Sequence, residues 1–194
     1  MKVFPLPREV AAYDPGLRTI HWLMAALIFV TLPLGVWASL LPGGSARRVE
    51  ILFFHKSIGV TVLGLVALRI VWRLIVGAPA YAEPLGKFIH VASRAGHLAL
   101  YALMIAMPLI GWAMLSAAEY PVVIWPGIWL PQILPLDPSL HTLLWNAHFY
   151  LAFLFFALIL MHLAAALFHA LIRRDGVFDA MGPRLTHDEV APAE

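Results

Sequence analysis

Four long apolar stretches run through this chain, at about 17–41, 51–76, 90–117 and 141–172. Each exceeds the ~20 residues an α-helix needs to cross ~30 Å of hydrocarbon. Lipid offers no partner to a backbone amide, so such stretches must satisfy their own hydrogen bonds as helices. The expected fold is all-α: an integral membrane four-helix bundle, with residues 1–194 forming a single transmembrane domain. Composition agrees, because 62% of the residues are hydrophobic and 12% charged, against roughly half and a quarter in a soluble domain.

The connections follow from turn chemistry. LPGGSARR (41–48) reads as a turn and GAPAYAEPLG (77–86) as a loop. AEYPVVIWPGIWLPQILPLDPS (118–139) carries five prolines and two tryptophans. It is too broken for a helix and is expected to lie at the outer interface. No internal repeat is evident. The opening segment, MKVFPLPREVAAYDPGLRTIHW, lacks the short apolar core and small-residue cleavage site of a signal peptide.

Positive charge sets the expected orientation. Lys2, Arg8, Arg18, Arg69, Arg73, Lys87, Arg94, Arg173, Arg174 and Arg184 fall on one side of the four spans; Arg47, Arg48 and Lys56 fall on the other. Both termini are therefore expected in the cytoplasm, and the 118–139 segment outside. A net charge of +2, with no long basic run, gives no reason to expect nucleic acid.

The chain has no cysteine and nine histidines. Disulfides, thiolate metal sites, iron–sulfur clusters and c-type haem attachment are excluded, and imidazole is the strong ligand that remains. The spans assign the histidines to depths. His21 falls in the cytoplasmic half of the first span and His55 in the outer half of the second. His148 and His162 share one face of the fourth, fourteen residues or roughly 21 Å apart. His55 thus lies level with His148, and His21 with His162. Two level imidazoles on different helices can clamp a flat iron porphyrin, and two such clamps stack into an electron path. Spacing leaves other choices open: His141 and His169 lie on the same heptad stripe, and His90 and His97 form another pair.

Neighbouring residues bear on this. Gly59 and Gly64 follow His55, and Ala164 to Ala166 follow His162. Small residues let a bulky ring approach a helix, though ordinary helix packing also uses them. Arg69 shares the face of His55 at the depth of the other pair, and Arg18 lies one turn before His21. Either suits a haem propionate or reaches the inner headgroups instead. Arg47, Arg48 and Lys56 gather near the outer pair, where positive charge would steer an anion such as superoxide or is simply solvated.

LRTIHW (17–22), FHKSIGV (54–60), HLALYALMIAMPLIGWAMLSA (97–117) and LMHLAAALFHALIRRDGVFDAM (160–181) resemble the bacterial cytochrome b561 family, di-haem b proteins of the inner membrane. The motifs touch all four spans in order. The resemblance implies two haem b groups, with His21 and His162 ligating the cytoplasmic iron and His55 and His148 the outer one. Arg18, Arg69, Gly59 and His97 become candidate haem surroundings. It also implies electron exchange with quinone; one branch is similar to superoxide oxidases, with ubiquinone as acceptor. His169 is then a candidate quinone contact or proton relay. The stretch NAHFYLAF (146–153) is more apolar than the family's usual turn after the outer histidine. The expected function is oxidoreduction: a transmembrane electron carrier taking electrons from superoxide or another periplasmic donor. Its rival is a cytochrome b anchor for a partner dehydrogenase or hydrogenase, docking through 118–139. A histidine-lined metal transporter would need carboxylates at depth, and the spans hold none well inside them.

Overall fold

The computed structural model describes residues 12–79 and 86–182. Lys2, Arg8 and Arg184 of the charge count, and the middle of the 77–86 loop, lie outside the described residues. Four helices are long and apolar enough to cross a membrane. They are α1 (Pro15–Leu40), α2 (Ala46–Val76), α3 (Lys87–Ala117) and α4 (Pro138–Phe168). A π-helical turn, His169–Arg173, extends α4, and a short α5 (Val177–Met181) follows.

The helices start two to five residues before the expected positions, and at α1, α2 and α4 a side-chain cap sets the start. Asp14 accepts from Gly16 N at 2.8 Å and Leu17 N at 3.3 Å, with Pro15 opening α1. Asp137 caps Pro138 and α4 in the same way. Ser45 caps α2 by accepting from Arg48 N at 3.3 Å. This starts α2 five residues earlier than hydropathy suggests and places Arg47, Arg48 and Glu50 on its first turns.

Residues 118–137 are no helix, while Pro138 and Ser139 already open α4, and the segment contains a fold the sequence reading did not foresee. Strands β1 (Val122–Ile124) and β2 (Ile128–Leu130) pair antiparallel, Val123 opposite Trp129. The tip residues Trp125 and Gly127 have φ of 44° and 84°, the positive values a tight hairpin demands. Trp125 pins the hairpin to α2: its backbone N–H donates to Ser57 Oγ and its indole N–H to Thr61 Oγ1, both at 3.1 Å.

The core joins all four spans through Ile20, Met24, Ile28, Ile58, Val62, Val66, Leu103, Met107 and Phe155. Outward-facing apolar side chains such as Phe29 and Leu74, each 81% exposed, form the surface expected against lipid. Packing is uneven. α1 lies mainly on α2 and α3 mainly on α4. Among the described residues α4 has no comparable packing against α1 or α2, and Phe155 is its only buried residue. At the end where residues 12 and 182 lie, the α5 segment folds onto α1. Tyr13 N–H donates to the Ala180 carbonyl at 3.0 Å, and the Trp22 indole to the Met181 carbonyl at 3.0 Å.

Candidate functional site

The open side of α4 is where the histidines meet. His55 of α2 and His148 of α4 face each other with ring centroids 6.1 Å apart. His21 of α1 and His162 of α4 stand 6.3 Å apart. A first-row metal takes an imidazole nitrogen at about 2 Å, so two rings on opposite sides of one iron have centroids about 6 Å apart. Helices that barely touch thus approach each other through two imidazole pairs at two levels. On α4, residues 141, 148, 155, 162 and 169 form one heptad stripe. Phe155, 6% exposed, is the one member that is not histidine, and it sits midway between the two levels.

The outer pair is held from both sides by a repeated device. His55 Nδ1 is 2.9 Å from the Thr31 carbonyl of α1. The ring therefore donates there, which fixes the tautomer and leaves Nε2 its lone pair. Gly35, one turn beyond Thr31, has no side chain, and a Cβ there would come within 2.9 Å of His55 Cε1. On α3 the Met107 backbone lies near the His148 ring, and His148 Nδ1 is buried without a hydrogen-bond partner. Gly111, one turn beyond Met107, would place a Cβ 3.4 Å from His148 Cε1. Pro33 and Pro108 sit inside these two helices beside the same turns. Sequence reading missed Gly35 and Gly111, although the signal was there: a proline and a glycine close together within an apolar span, in LPLGVW and MPLIGW.

Gly59 and Gly64 behave differently, since nothing lies within 4 Å of a Cβ built on either. The space beside Gly59, one turn from His55 on the same face, is room for a flat group.

The inner level holds three imidazoles. His97 of α3 stands 5.4 Å from His162, closer than His21 does. Its Nδ1 is 2.7 Å from the Ser93 carbonyl. Arg69 is buried at 6% exposure, donating through Nε to the Tyr101 hydroxyl at 3.0 Å and through Nη1 to the Leu17 carbonyl. It points inward as expected, but its partners here are a phenol and a carbonyl. Arg18 donates through Nη2 to the Gly182 carbonyl, while its buried Nε has no partner. That orphaned N–H fits an anionic oxygen such as a propionate. The residues present therefore suit haem at both levels.

Other histidines are tied to protein. His141 Nδ1 is 2.9 Å from the Met114 carbonyl. His169 Nδ1 is 2.8 Å from Asp175 Oδ2, a partner sequence reading did not single out. Among the charges near the outer pair, Arg47 pairs with Glu50 at 3.0 Å and Arg48 donates to the Leu41 carbonyl at 3.0 Å; Lys56 is half-buried beside His55. Among the described residues no three His, Asp or Glu side chains converge as a metal cage.

Comparison with known proteins agrees with this geometry. The family model described as prokaryotic cytochrome b561 matches residues 12–184. Cytochrome b561 homolog 2 of Escherichia coli K12 is 30% identical over 164 residues, covering 83% of this chain and 86% of the relative. A probable superoxide oxidase, CybB of Yersinia pestis, is 28% identical over 85% of this chain and 92% of its own. Cytochrome b561 homolog 1 of Escherichia coli K12 is 27% identical over 85% and 93%. The family comprises multi-pass electron-transfer proteins of the bacterial inner membrane that bind haem b. With four spans, level imidazoles and a match through nearly its whole length, this chain belongs to the prokaryotic cytochrome b561 family.

Proposed function

We propose that this protein carries electrons across the membrane from superoxide at its outer face to quinone at its inner face. It does so with two bis-histidine haem b groups, held by His55 with His148 and by His21 with His162. The observation that carries the reading is the pair of imidazole contacts at 6.1 and 6.3 Å across a seam where α4 lacks packing against α1 and α2. Held there by these histidines, haem would supply one-electron transfer.

The chain's own residues do the rest. The Thr31 carbonyl orients His55, and Gly35 and Gly111 let both outer rings stand close to α1 and α3. Arg18 offers its free Nε to a propionate, and Arg69 braces Leu17 and Tyr101 beside His21. Arg47, Arg48 and Lys56 lie at the hairpin end, where Glu50, Glu119 and Asp137 match them in number, so any steering of an anion there is local to the basic side chains. Most of the described Lys and Arg lie at the opposite end, which supports a cytoplasmic location for both chain ends. The Yersinia relative's name supports superoxide as donor.

A second reading, a membrane anchor for a partner dehydrogenase, draws on the exposed apolar side chains of the hairpin segment, Ile128 (49%), Trp129 (67%) and Leu136 (57%). Co-purification with a larger hydrophilic subunit would favour it.

An optical spectrum with a pyridine haemochrome count tests the main reading. Two b haems per chain are expected, and one after His148→Ala or His162→Ala. A wild-type protein with no haem, or a His148→Ala variant that keeps both, overturns it.

A further inference from the structure

We propose that the buried guanidinium of Arg69 makes the inner haem site the more easily reduced of the two and so sets the inward direction of electron flow; this rests on the haem reading above.

The two packed hairpins correspond position by position, although their connecting segments differ in length and no repeat is evident along the chain. Arg18, His21 and Gly35 of α1 recur 76 positions later as Arg94, His97 and Gly111 of α3. His55, Val62 and Arg69 of α2 stand 93 positions before His148, Phe155 and His162 of α4. The contacts repeat as well. Gly35 faces His55 as Gly111 faces His148. Val62 and Phe155 are both buried, midway between the levels. On the inner level Arg69 reaches α1 one turn before His21, as His162 of α4 approaches His97 of α3 at 5.4 Å.

At the outer level the corresponding positions carry the same residue, His55 and His148. At the inner level they do not: α4 carries His162 and α2 carries Arg69. The bundle is thus close to twofold in its outer half and broken in its inner half, and the residue that breaks it is a cation.

That cation stands where a charge is unfavourable. Arginine keeps its proton in proteins, and ionisable side chains within spans usually pair or serve a function. Arg69 is 6% exposed. Its hydrogen-bond partners, the Tyr101 hydroxyl at 3.0 Å and the Leu17 carbonyl, are neutral. Among the described residues no carboxylate lies within ion-pair distance of it. Asp14, three positions before Leu17, is occupied by the N–H groups of Gly16 and Leu17 and by the Trp72 indole. A full positive charge is therefore fixed in the apolar interior, and it acts on His21.

The outer level has no equivalent. Arg47 is paired with Glu50, both side chains more than half exposed, and Lys56 is half-buried, so water and headgroups screen these charges. Arg69 itself lies fourteen residues from His55, roughly 21 Å along α2.

Transfer from the outer to the inner level moves one electron and makes or breaks no bond; the outer site is oxidised and the inner site reduced. The inner site's charge falls by one, which a neighbouring fixed cation favours. Because that attraction weakens with distance and is little screened in the interior, Arg69 stabilises the reduced inner site more than the reduced outer one.

The test is a spectroelectrochemical titration of purified, haem-loaded protein, with His148→Ala identifying the inner midpoint. In wild type the inner midpoint is expected to be the higher of two; an inner midpoint equal to or below the outer one overturns the proposal. Arg69→Gln is expected to lower the inner midpoint by a tenfold change in equilibrium constant, about 59 mV for one electron, and to move the outer midpoint less than half as far. Arg69→Met serves if the glutamine variant does not retain the inner haem, and the wild-type order decides if neither does. Tyr101→Phe removes one brace and keeps the charge, so its inner midpoint is expected to stay at the wild-type value. A shift in Tyr101→Phe as large as in Arg69→Gln, or no shift in Arg69→Gln, overturns the proposal and leaves the haem reading standing. Wild-type protein without haem overturns both.

Discussion

A glycine here does the work of a ligand-positioning residue by having no side chain. A Cβ on Gly35 would come within 2.9 Å of His55 Cε1 and 3.2 Å of Nδ1. In a packed interior that misfit costs about 1–3 kcal/mol, and His55 would swing away from His148. Gly35→Ala is therefore expected to halve the outer haem occupancy or worse and leave the inner haem in place, read as a haemochrome count falling from two toward one. Thr31→Val is the control. The acceptor for His55 Nδ1 is the Thr31 backbone carbonyl, so the variant forfeits only the hydroxyl contacts at 3.3 Å, about 1 kcal/mol, and keeps both haems. A two-haem count in Gly35→Ala would contradict the cradle. Arg69 shows the limit of reading residues singly. Its inward direction was legible, but its partners Leu17 and Tyr101, 52 and 32 positions away in sequence, were not.

At the scale of elements, hydropathy located the spans but not the pieces that close their ends. The hairpin between α3 and α4 depends on Trp125, a bulky residue at φ 44°, which needs outside support to persist. Ser57, fully buried, supplies it by accepting from Trp125 N. Ser57→Ala leaves that N–H unsatisfied at a cost of about 1–3 kcal/mol. Faster protease cleavage within 118–137 is expected, with the four spans intact; an unchanged rate would show that the β1–β2 pairing suffices. The C-terminal cap is held by charge. The Asp175 carboxyl lies below its ordinary value of 3.8 in the folded protein. Its ionised form therefore stabilises the cap fully above that value, and the contribution fades as pH falls through the lower, folded-state value. Pepsin cleavage beyond Arg173 should accelerate as pH falls below about 4 relative to Asp175→Asn, whose cap has no carboxylate to titrate. A constant ratio across that range would remove the carboxylate from the account.

For the whole molecule, the consequence of an open seam is that cofactor and fold are linked. α1 with α2 and α3 with α4 are well-packed hairpins, while α4 meets the first hairpin chiefly through imidazoles and Phe155. A group that binds only the folded state adds about 4 kcal/mol at a thousandfold excess over its Kd, about 10 °C in Tm for a chain of this size. Haem-depleted protein in detergent is expected to melt lower by that order; equal melting temperatures would mean the bundle closes without its cofactors. The sequence by itself determined the number of spans, the level of each histidine and the absence of thiolate chemistry. These are one-dimensional properties: mean hydropathy, a fixed rise per residue and composition. Only the tertiary structure decided that His97 joins His21 and His162, that Gly35 and Gly111 face the outer rings, and that Asp175 returns to His169. Each of these depends on how far a helix is rotated about its own axis and on which neighbour it meets. In lipid, where almost every outward face is apolar, the hydrophobic pattern leaves that rotation unspecified, and contacts between distant residues must fix it.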